Sequence, residues 1–364
     1  MTDKIPNSPH GFIVKDCHLC GGPASAGTIC DRCGAVNFMP NPNPEGGNRM
    51  SDAWSGYSLN GCRFETTPSA APTLSVPDIR LPDRVDLRAH CSPVEDQGTT
   101  QSCVAQAVVG AMEYHQIKSG RPFTDLSRLF VYFNARIIGN STHLDSGSFI
   151  HHGMASILAY GACEERLWPF QDSLVITRPT EAAYQNGRNY EATQYARTPR
   201  GVPALVALAH GLPVVFGMYA PGEYYDIAHQ TGRMPRPDQV VTQRPPSGHA
   251  MLIVGYDMAE RCYLVRNSWS TRWAQGGYCW IPFETMDFWA VETDFWAIGA
   301  IEDAPGFKLM GPSLMDAMRG VGVGEDVLEA RAQRLDQLRM GLRQQLTGNL
   351  EAAKRDFRDR LRGK

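Results

Sequence analysis

The sequence predicts an α+β domain of two lobes, with a small cysteine-rich unit before it and an amphipathic helix after it. Two observations predict this fold class. Helical patterns fill the first half of the central region, strand patterns fill the second half, and the two kinds do not alternate. This segregation disfavours a doubly wound parallel sheet, in which strands and helices follow one another in turn.

Helices are predicted where apolar residues recur at helical spacing and the pattern ends at glycine or proline. Strands are predicted where short apolar or alternating runs are bounded by turn residues. The predicted helices are 103–119, 127–138, 151–160 and 203–210, and the predicted strands are 213–216, 249–256, 261–265 and 277–281.

The overall composition limits the function classes. The 364 residues suffice for one large domain with appendages, and the 43% of hydrophobic residues can form a substantial core. A net charge of −3 disfavours a protein built mainly to bind nucleic acid. No run of 18 apolar residues would span a membrane, and residues 1–16 lack the apolar core of a secretory signal. We therefore expect a cytoplasmic protein.

Changes in composition divide the chain into five segments. Residues 1–40 form a cysteine-rich unit, and residues 41–80, rich in Pro, Gly and Ser, form a linker or an extended chain lying on another surface. Residues 81–305 form the main domain, and residues 306–324 form a second linker. Residues 325–364 form an amphipathic helix, which packs on the main domain, pairs with a second copy or, alternatively, docks another protein.

Four cysteines at the N-terminus have the spacing of a metal site. Cys17-x-x-Cys20-Gly and Cys30-x-x-Cys33-Gly form two knuckles, and four thiolates suit a tetrahedral, structural Zn²⁺. A redox dithiol is the alternative, but two matched pairs so close together favour metal. The unit resembles a minimal zinc ribbon. Its few positive residues, Lys15 and Arg32, are balanced by Asp16 and Asp31, which favours a protein partner over nucleic acid.

The remaining cysteines, apart from Cys103, are scattered along the chain. Because no secretory signal is visible, we predict that they are reduced and mostly buried, with an oxidised framework as the alternative. They are Cys62, Cys91, Cys163, Cys262 and Cys279.

Four polar residues suggest nucleophilic catalysis. Cys103 begins a predicted helix, whose dipole favours a thiolate and lowers the thiol pKa. His249 opens an apolar strand and can act as its base, while Asn267 follows a strand and can orient the imidazole. Gln97 and the Cys103 N–H can donate to an oxyanion. Each residue alone has a plainer interpretation, as packing, a core histidine or a turn, but their joint order favours catalysis.

These residues and their surroundings resemble the papain family of cysteine proteases over about residues 81–301. The resemblance implies a papain-like fold, with a helical lobe that carries the nucleophile and a β-barrel-like lobe that carries the base. The matching segments are Val85–Arg88, Pro93–Gly98, Ser102–Cys103, Gly248–Tyr256, Arg266–Trp273 and Gly276–Tyr278.

The same resemblance implies how a substrate binds. Gly147, Ser148 and Phe149 would pair with the substrate backbone, and Phe149 would border the pocket for the side chain two positions before the cleaved bond. Trp269 would shield the Asn267–His249 hydrogen bond from water. Gln101 would crowd the rim of the cleft, and Gly248 stands just before the base.

The chain also departs from the family. Thr100 and Asp145 stand where the resemblance implies a disulfide, and we predict that they hydrogen-bond to each other instead. No long charged helix of an inhibitory propeptide precedes Leu81. Any latency would therefore come from the segment Met39–Arg80, from the C-terminal helix or from a partner protein.

The sequence thus predicts a cysteine endopeptidase that cleaves amide bonds of proteins or peptides through a thioester. A zinc ribbon and a helical tail would target or regulate it. The alternatives are an acyltransferase, transpeptidase or deamidase that uses the same nucleophile, or a non-catalytic binding module that keeps the fold.

Overall fold

The computed structural model describes residues 57, 59–65, 70–192, 194–240, 242, 246–299, 307–337 and 340. The four cysteines of the predicted zinc unit lie outside these residues. The zinc ribbon therefore stays a prediction. The tail helix also stays a prediction beyond residue 337, except at Met340, which is described.

The helical half of the domain follows the sequence prediction closely. All four predicted helices form, and their ends agree to within one residue. Ser127 caps the second of them, because its hydroxyl accepts a hydrogen bond from the Phe130 N–H. Four short helices were not predicted. The helices are α1 (Cys103–Lys118), α2 (Arg128–Ile138), α3 (Ile150–Ala159), α4 (Glu181–Gly187), α5 (Val202–Ala209), α6 (Gly222–Thr231), α7 (Phe283–Trp289) and α8 (Leu314–Gly320).

The strand prediction is confirmed for four segments, β6 to β9. Seven further strands were missed, most of them only two or three residues long. The strands are β1 (Cys62–Arg63), β2 (Thr73–Ser75), β3 (Arg84–Asp86), β4 (Ser148–Phe149), β5 (Tyr195–Arg197), β6 (Val214–Ala220), β7 (Ser247–Asp257), β8 (Cys262–Arg266), β9 (Tyr278–Pro282), β10 (Ala290–Ile298) and β11 (Lys308–Met310).

Nine of these strands form one mostly antiparallel sheet. Its order is β11-β2-β5-β10-β6-β7-β8-β9, and β3 pairs with β7 beside this path. β2 pairs parallel with β5, whereas the central strands pair antiparallel. The arrangement confirms an α+β fold with helices and sheet in separate halves.

Helix α1 joins the two halves of the domain. Its residues from Cys103 to Tyr114 are all buried, as is expected of a helix that is apolar on every side. A Cβ atom built on Gly110 of α1 would lie 3.6 Å from side-chain atoms of Leu252 in β7 and Arg266 in β8. This packing brings the start of α1 near the strand that carries His249.

Both predicted linkers contain regular structure. The described part of 41–80 contributes β1 and β2, so it lies on the domain as extended chain. The prediction of a linker over 306–324 is wrong for residues 307–324, which contain β11 and α8. These elements were missed because their sequences have no periodic pattern. Pairing and packing with the domain stabilise them instead.

Residues 325–337 are helical and pack on the helical lobe. Leu328 is buried there, and Arg331 donates to the carbonyl oxygens of Leu158 and Ala192. The described part of the tail is therefore bound to its own domain. Among the described residues, no helix combines the length and apolar character needed to cross a bilayer.

Candidate active site

Cys103 is the first residue of α1 and is fully buried. The backbone amides of Val104 and Ala250 interact with its sulfur and favour the thiolate, but burial outweighs them and raises the pKa of Cys103 to about 12. The expectation that the helix start lowers the thiol pKa is therefore wrong for this closed conformation.

The imidazole of His249 is held by Asn267. The distance between His249 Nε2 and Asn267 Oδ1 is 2.8 Å, and the same oxygen accepts the Ser268 N–H at 2.8 Å. An atom that accepts from a backbone N–H is an oxygen, so His249 Nε2 carries the proton in this bond. His249 Nδ1 is then the basic nitrogen, and it is buried without a hydrogen-bond partner among the described residues.

Aromatic rings enclose this pair. Trp269 stacks on His249 with ring centroids 4.8 Å apart, and Tyr225 of α6 meets the imidazole edge-on at 5.6 Å. Both rings are fully buried. Burial lowers the pKa of His249 to about 4, although the bond to Asn267 raises it. Trp269 covers the imidazole of the Asn267–His249 pair, as the family resemblance implies. The contact of Tyr225 with His249 was not predicted.

Gln97 is tied to the loop that follows Asn267. Its Nε2 donates to the Thr100 carbonyl at 3.0 Å, and its Oε1 accepts the Ser268 hydroxyl at 2.6 Å. The Gln97 N–H donates to the Ser268 carbonyl at 2.9 Å. A carboxamide nitrogen has two N–H groups, so one is left for a bound oxyanion. Ser268 was missed as a functional residue, although it follows Asn267 directly.

Thr100 and Asp145 do not hydrogen-bond to each other, so that prediction is wrong. The Thr100 hydroxyl donates to the Gln97 carbonyl at 2.8 Å and lies 2.7 Å from the Ser102 hydroxyl. Asp145 instead accepts the Gln101 N–H at 3.1 Å and the Tyr132 hydroxyl at 2.5 Å. The Asp145 carboxylate therefore joins its own segment to the segment of Thr100 through Gln101, the residue that follows Thr100.

The predicted substrate-binding residues are covered by the chain itself. We call residues 57–65, of which 58 is not described, the cleft segment. Its strand β1 pairs parallel with β4, with Cys62 opposite Ser148, and the Ser148 N–H donates to the Gly61 carbonyl at 3.0 Å. The Arg63 guanidinium lies 4.8 Å from the centre of the Phe149 ring.

The backbone of the cleft segment touches the nucleophile. A Cβ atom built on Gly61 would lie 2.7 Å from both Cys103 Sγ and the Gln101 carbonyl oxygen. A Cβ atom on Gly248 would lie 2.0 Å from the Cys62 carbonyl oxygen. Only glycine fits at these two positions, because any side chain would separate the segment from the cleft.

Side chains anchor both ends of the cleft segment. At one end, the Tyr57 hydroxyl donates to Asp96 at 3.0 Å, and the Tyr57 ring lies 5.5 Å from Trp269. At the other end, Glu65 lies 3.1 Å from His151 Nε2. The segment therefore crosses the whole cleft from Trp269 to Phe149.

The six described cysteines form no disulfide with one another. Five are buried and Cys91 is half-buried, in agreement with the prediction of buried thiols. The described residues contain no group of His, Cys, Asp and Glu that could hold a metal ion.

Comparison with known proteins places the chain among the cysteine peptidases, which are hydrolases of peptide bonds. Residues 81–295, more than half of the chain, match the model of the papain family cysteine proteases. The chain belongs to this family.

Individual relatives agree with this assignment. An uncharacterised peptidase C1-like protein of Acanthamoeba polyphaga mimivirus is 30% identical over 220 residues, which are 57% of this chain and 70% of that protein. Cathepsin K of Gallus gallus is 31% identical over 61% of this chain and 66% of its own length. The crystal structure of xylellain, a cysteine protease from Xylella fastidiosa, superposes with a TM-score of 0.55 at 29% identity. That match covers 65% of this chain and 99% of xylellain.

Proposed function

We propose that the chain is a cysteine endopeptidase that is latent as folded, because its own cleft segment occupies the place of the substrate. Cys103 is the nucleophile, His249 the base, Asn267 the residue that orients the base, and Gln97 an oxyanion donor. The observation that carries the proposal is the approach of the Gly61 backbone to the Cys103 sulfur, beside an intact His249–Asn267 bond.

The reaction follows from this geometry. His249 Nδ1 takes the thiol proton, and the Cys103 thiolate attacks the carbonyl carbon of the substrate. The Cys103 N–H and the Gln97 Nε2–H stabilise the oxyanion. The amine leaves with the proton of the imidazolium, and a thioester remains. A water molecule that gives its proton to His249 then hydrolyses the thioester and frees Cys103.

The direction of the cleft segment explains why it is not cut. By the family resemblance, a substrate would run from Phe149 toward Cys103. The cleft segment runs from Gly61 at Cys103 to Arg63 at Phe149, which is the opposite direction. Its carbonyl groups therefore do not face the nucleophile as those of a substrate would.

The protonation states also support latency. Burial raises the pKa of Cys103 and lowers that of His249, so the closed pair is a neutral thiol beside a neutral imidazole. Release of the cleft segment would restore water to the site. The helix start and the imidazole would then favour a thiolate–imidazolium pair.

A probe that reacts only with activated thiolates tests the proposal. An epoxide or vinyl-sulfone probe should label the chain once the cleft is open, and peptide mapping should find the label on Cys103. Cys103→Ala should abolish both labelling and hydrolysis of a denatured protein substrate, whereas Cys91→Ala, a half-buried thiol elsewhere, should leave both unchanged. Absence of hydrolysis from the opened wild-type chain would favour a binding module.

The same nucleophile can also serve transfer or deamidation. Mass spectrometry of the products, with an added amine and with glutamine-containing peptides, separates the possibilities. Hydrolysis gives free carboxyl and amino termini, transfer gives a new amide, and deamidation gives a gain of about 1 Da at one glutamine. Amide products exceeding hydrolysis products would overturn the peptidase assignment in favour of a transferase.

We further propose that Cys17, Cys20, Cys30 and Cys33 hold one structural Zn²⁺, which stabilises a unit too small for its own core. This unit and the C-terminal helix would bind a protein partner. Metal analysis of the purified chain should find about one zinc per chain. Cys30→Ser should remove the zinc and Cys91→Ser should not; a metal-free but folded N-terminal unit would rule the site out.

We also propose that the protein works in the cytoplasm. The replacement of an implied disulfide by Thr100 and Asp145 supports a reducing compartment. Fractionation of cells that produce the tagged chain tests this; recovery from an oxidising compartment with mixed disulfides would contradict it.

A further inference from the structure

A small cavity lies beside Asn267, between α1 and β7. Its volume is about 10 Å³, and residues of α1, β7 and the turn after β8 line it, among them Gln106, Leu252, Arg266 and Asn267. Gln106 lies one helical turn beyond Cys103 and is 5% exposed. The cavity therefore connects the helix of the nucleophile with the residue that orients the base.

Two polar atoms that line this cavity lack hydrogen bonds. Asn267 Nδ2 and Gln106 Oε1 are both buried, and neither has a partner among the described residues. The other polar atom of each of these two side chains has a hydrogen-bond partner. Asn267 Oδ1 accepts from His249 and Ser268, and Gln106 Nε2 lies 3.5 Å from the Ser102 hydroxyl. One donor and one acceptor are left, and burying either without a partner costs about 1–3 kcal/mol.

We propose that one ordered water molecule bridges Asn267 Nδ2 to Gln106 Oε1, and that Gln106 is thereby a positioning residue for the catalytic base. A volume of about 10 Å³ is what one water centre needs, and a buried water needs at least two polar partners. The water accepts from the Asn267 amide and donates to the Gln106 carbonyl. The positioning role rests on the proposed function, whereas the water site does not.

The bridge acts on His249 through the carboxamide of Asn267. An amide that donates at its nitrogen is polarised and accepts more strongly at its oxygen. The Oδ1 atom then holds the Nε2–H more firmly and stabilises the imidazolium that forms during attack. Loss of the bridge should therefore weaken the base without changing substrate binding.

Kinetics of Gln106→Met test this role in a chain whose cleft is opened by Gly61→Ala. Methionine keeps the length of the side chain and removes the acceptor. We expect kcat to fall by about threefold to tenfold with KM unchanged. The alkaline limb of the kcat/KM profile should move to lower pH, because the imidazolium loses its proton more easily. The charged residues that line the cavity are Glu95 and Arg266.

Two controls separate positioning from a general effect on the fold. Gln116→Met changes the same residue type on the same helix, where Oε1 accepts from the Thr124 N–H, and it should leave the pH profile unchanged. In an Asn267→Ala background, Gln106→Met should have no further effect on kcat. An equal loss in both backgrounds would show that Gln106 does not act through Asn267, and would overturn the proposal.

A high-resolution crystal structure of the full chain tests the water directly, independent of activity. We expect density within hydrogen-bonding distance of Asn267 Nδ2 and Gln106 Oε1, and none at that place in Gln106→Met. A direct amide–amide bond, or no density between the two atoms, would overturn the bridge. If the chain shows no turnover even with its cleft opened, the proposed function fails, and this measurement alone decides the water site.

Discussion

At the scale of single residues, burial decides the protonation of the proposed catalytic pair, Cys103 and His249. Cys103 and His249 are both fully buried beneath the cleft segment, and each is driven to its neutral form. The helix start and the Asn267 oxygen favour the charged forms, but both are outweighed while water is excluded. The latency that we propose would therefore belong partly to the pair itself, in addition to the blocked access.

We expect acid to open the cleft segment in a Cys103→Ala chain. The pKa of His249 is lowered to about 4 in the closed form, so the closed form binds fewer protons than the open form between pH 6.5 and 4. Its stability is present above pH 6.5 and is lost as the pH falls toward 4. Hydrogen exchange of the Ser148 N–H, corrected for the intrinsic rate, should show at least about twentyfold more opening at pH 5 than at pH 7.

The Cys103→Ala substitution is needed in this measurement. In the wild type, the thiol would give its proton to the imidazole on opening, and this transfer would hide the uptake of a proton from solvent by His249. Burial lowers the pKa of His151 to about 3, and its exposure on release of Glu65 would contribute in the same direction. His249→Gln in the same background should therefore reduce the pH dependence without removing all of it. Opening that does not depend on pH would contradict this account.

The sequence revealed these residues unequally. Cys103, His249 and Asn267 could be found because each stands at the end of a strongly patterned element. Ser268 and Tyr225 could not be assigned roles, since their contacts depend on how α6 and the turn after β8 fold back onto Gln97 and His249. The pKa directions were beyond the sequence as well, because they follow from burial by a segment with no pattern of its own.

At the scale of elements, the cleft segment is held by backbone contact more than by regular structure. Strand β1 has only two residues, yet Gly61, Gly147 and Gly248 bring three backbone segments into close approach. Phe64 adds an apolar anchor, because a Cβ atom on Gly217 would lie 2.5 Å from its ring. The absence of side chains in the cleft is thus what allows the chain to bind there.

Gly61→Ala should release the cleft segment. The new methyl group would lie 2.7 Å from the Gln101 carbonyl oxygen, a backbone atom that cannot move aside. Overpacking of this kind costs about 1–3 kcal/mol, so the rate at which the probe labels Cys103 should rise about tenfold to a hundredfold. Probe labelling followed by intact-mass analysis measures the rate.

Gly320→Ala is the matched control, because a Cβ atom there meets nothing within 4 Å. Its labelling rate should equal that of the wild type. An unchanged rate in Gly61→Ala would mean that the cleft segment is not what limits access to Cys103.

Long elements were predictable and short ones were not. Helix α1 and strand β7 are 16 and 11 residues long, and their sequences are mostly apolar, as buried elements require. Strands β1 and β2 have two and three residues and exist only because β4, β5 and β11 pair with them. Helix α6 is an intermediate case: Pro221 before it and Gly232 in the left-handed conformation after it were usable signals.

At the scale of the whole molecule, segments on both sides of the family-matched region are built into the domain. Strand β2 and strand β11 extend the sheet at one edge, and residues 325–337 cover the helical lobe. The match to the family model ends at residue 295, yet Met318, Val323 and Leu328 belong to the main hydrophobic core. The flanking segments therefore contribute stability as well as any targeting role.

Arg331 should be the residue on which attachment of the tail depends most. It is 3% exposed, donates to the carbonyl oxygens of Leu158 and Ala192, and lies 3.3 Å from the Glu191 carboxylate. Arg331→Met leaves the two carbonyl oxygens without this donor and the Glu191 carboxylate with Arg334 as its other partner, and should reduce the free energy of unfolding by about 3 kcal/mol. Thermal unfolding should show this as a fall in Tm of roughly 5–10 °C. Arg319→Met, which breaks an exposed pair with Glu325, should leave Tm almost unchanged, because water screens such a pair. Equal losses in the two variants would mean that the tail helix is only loosely bound to the domain.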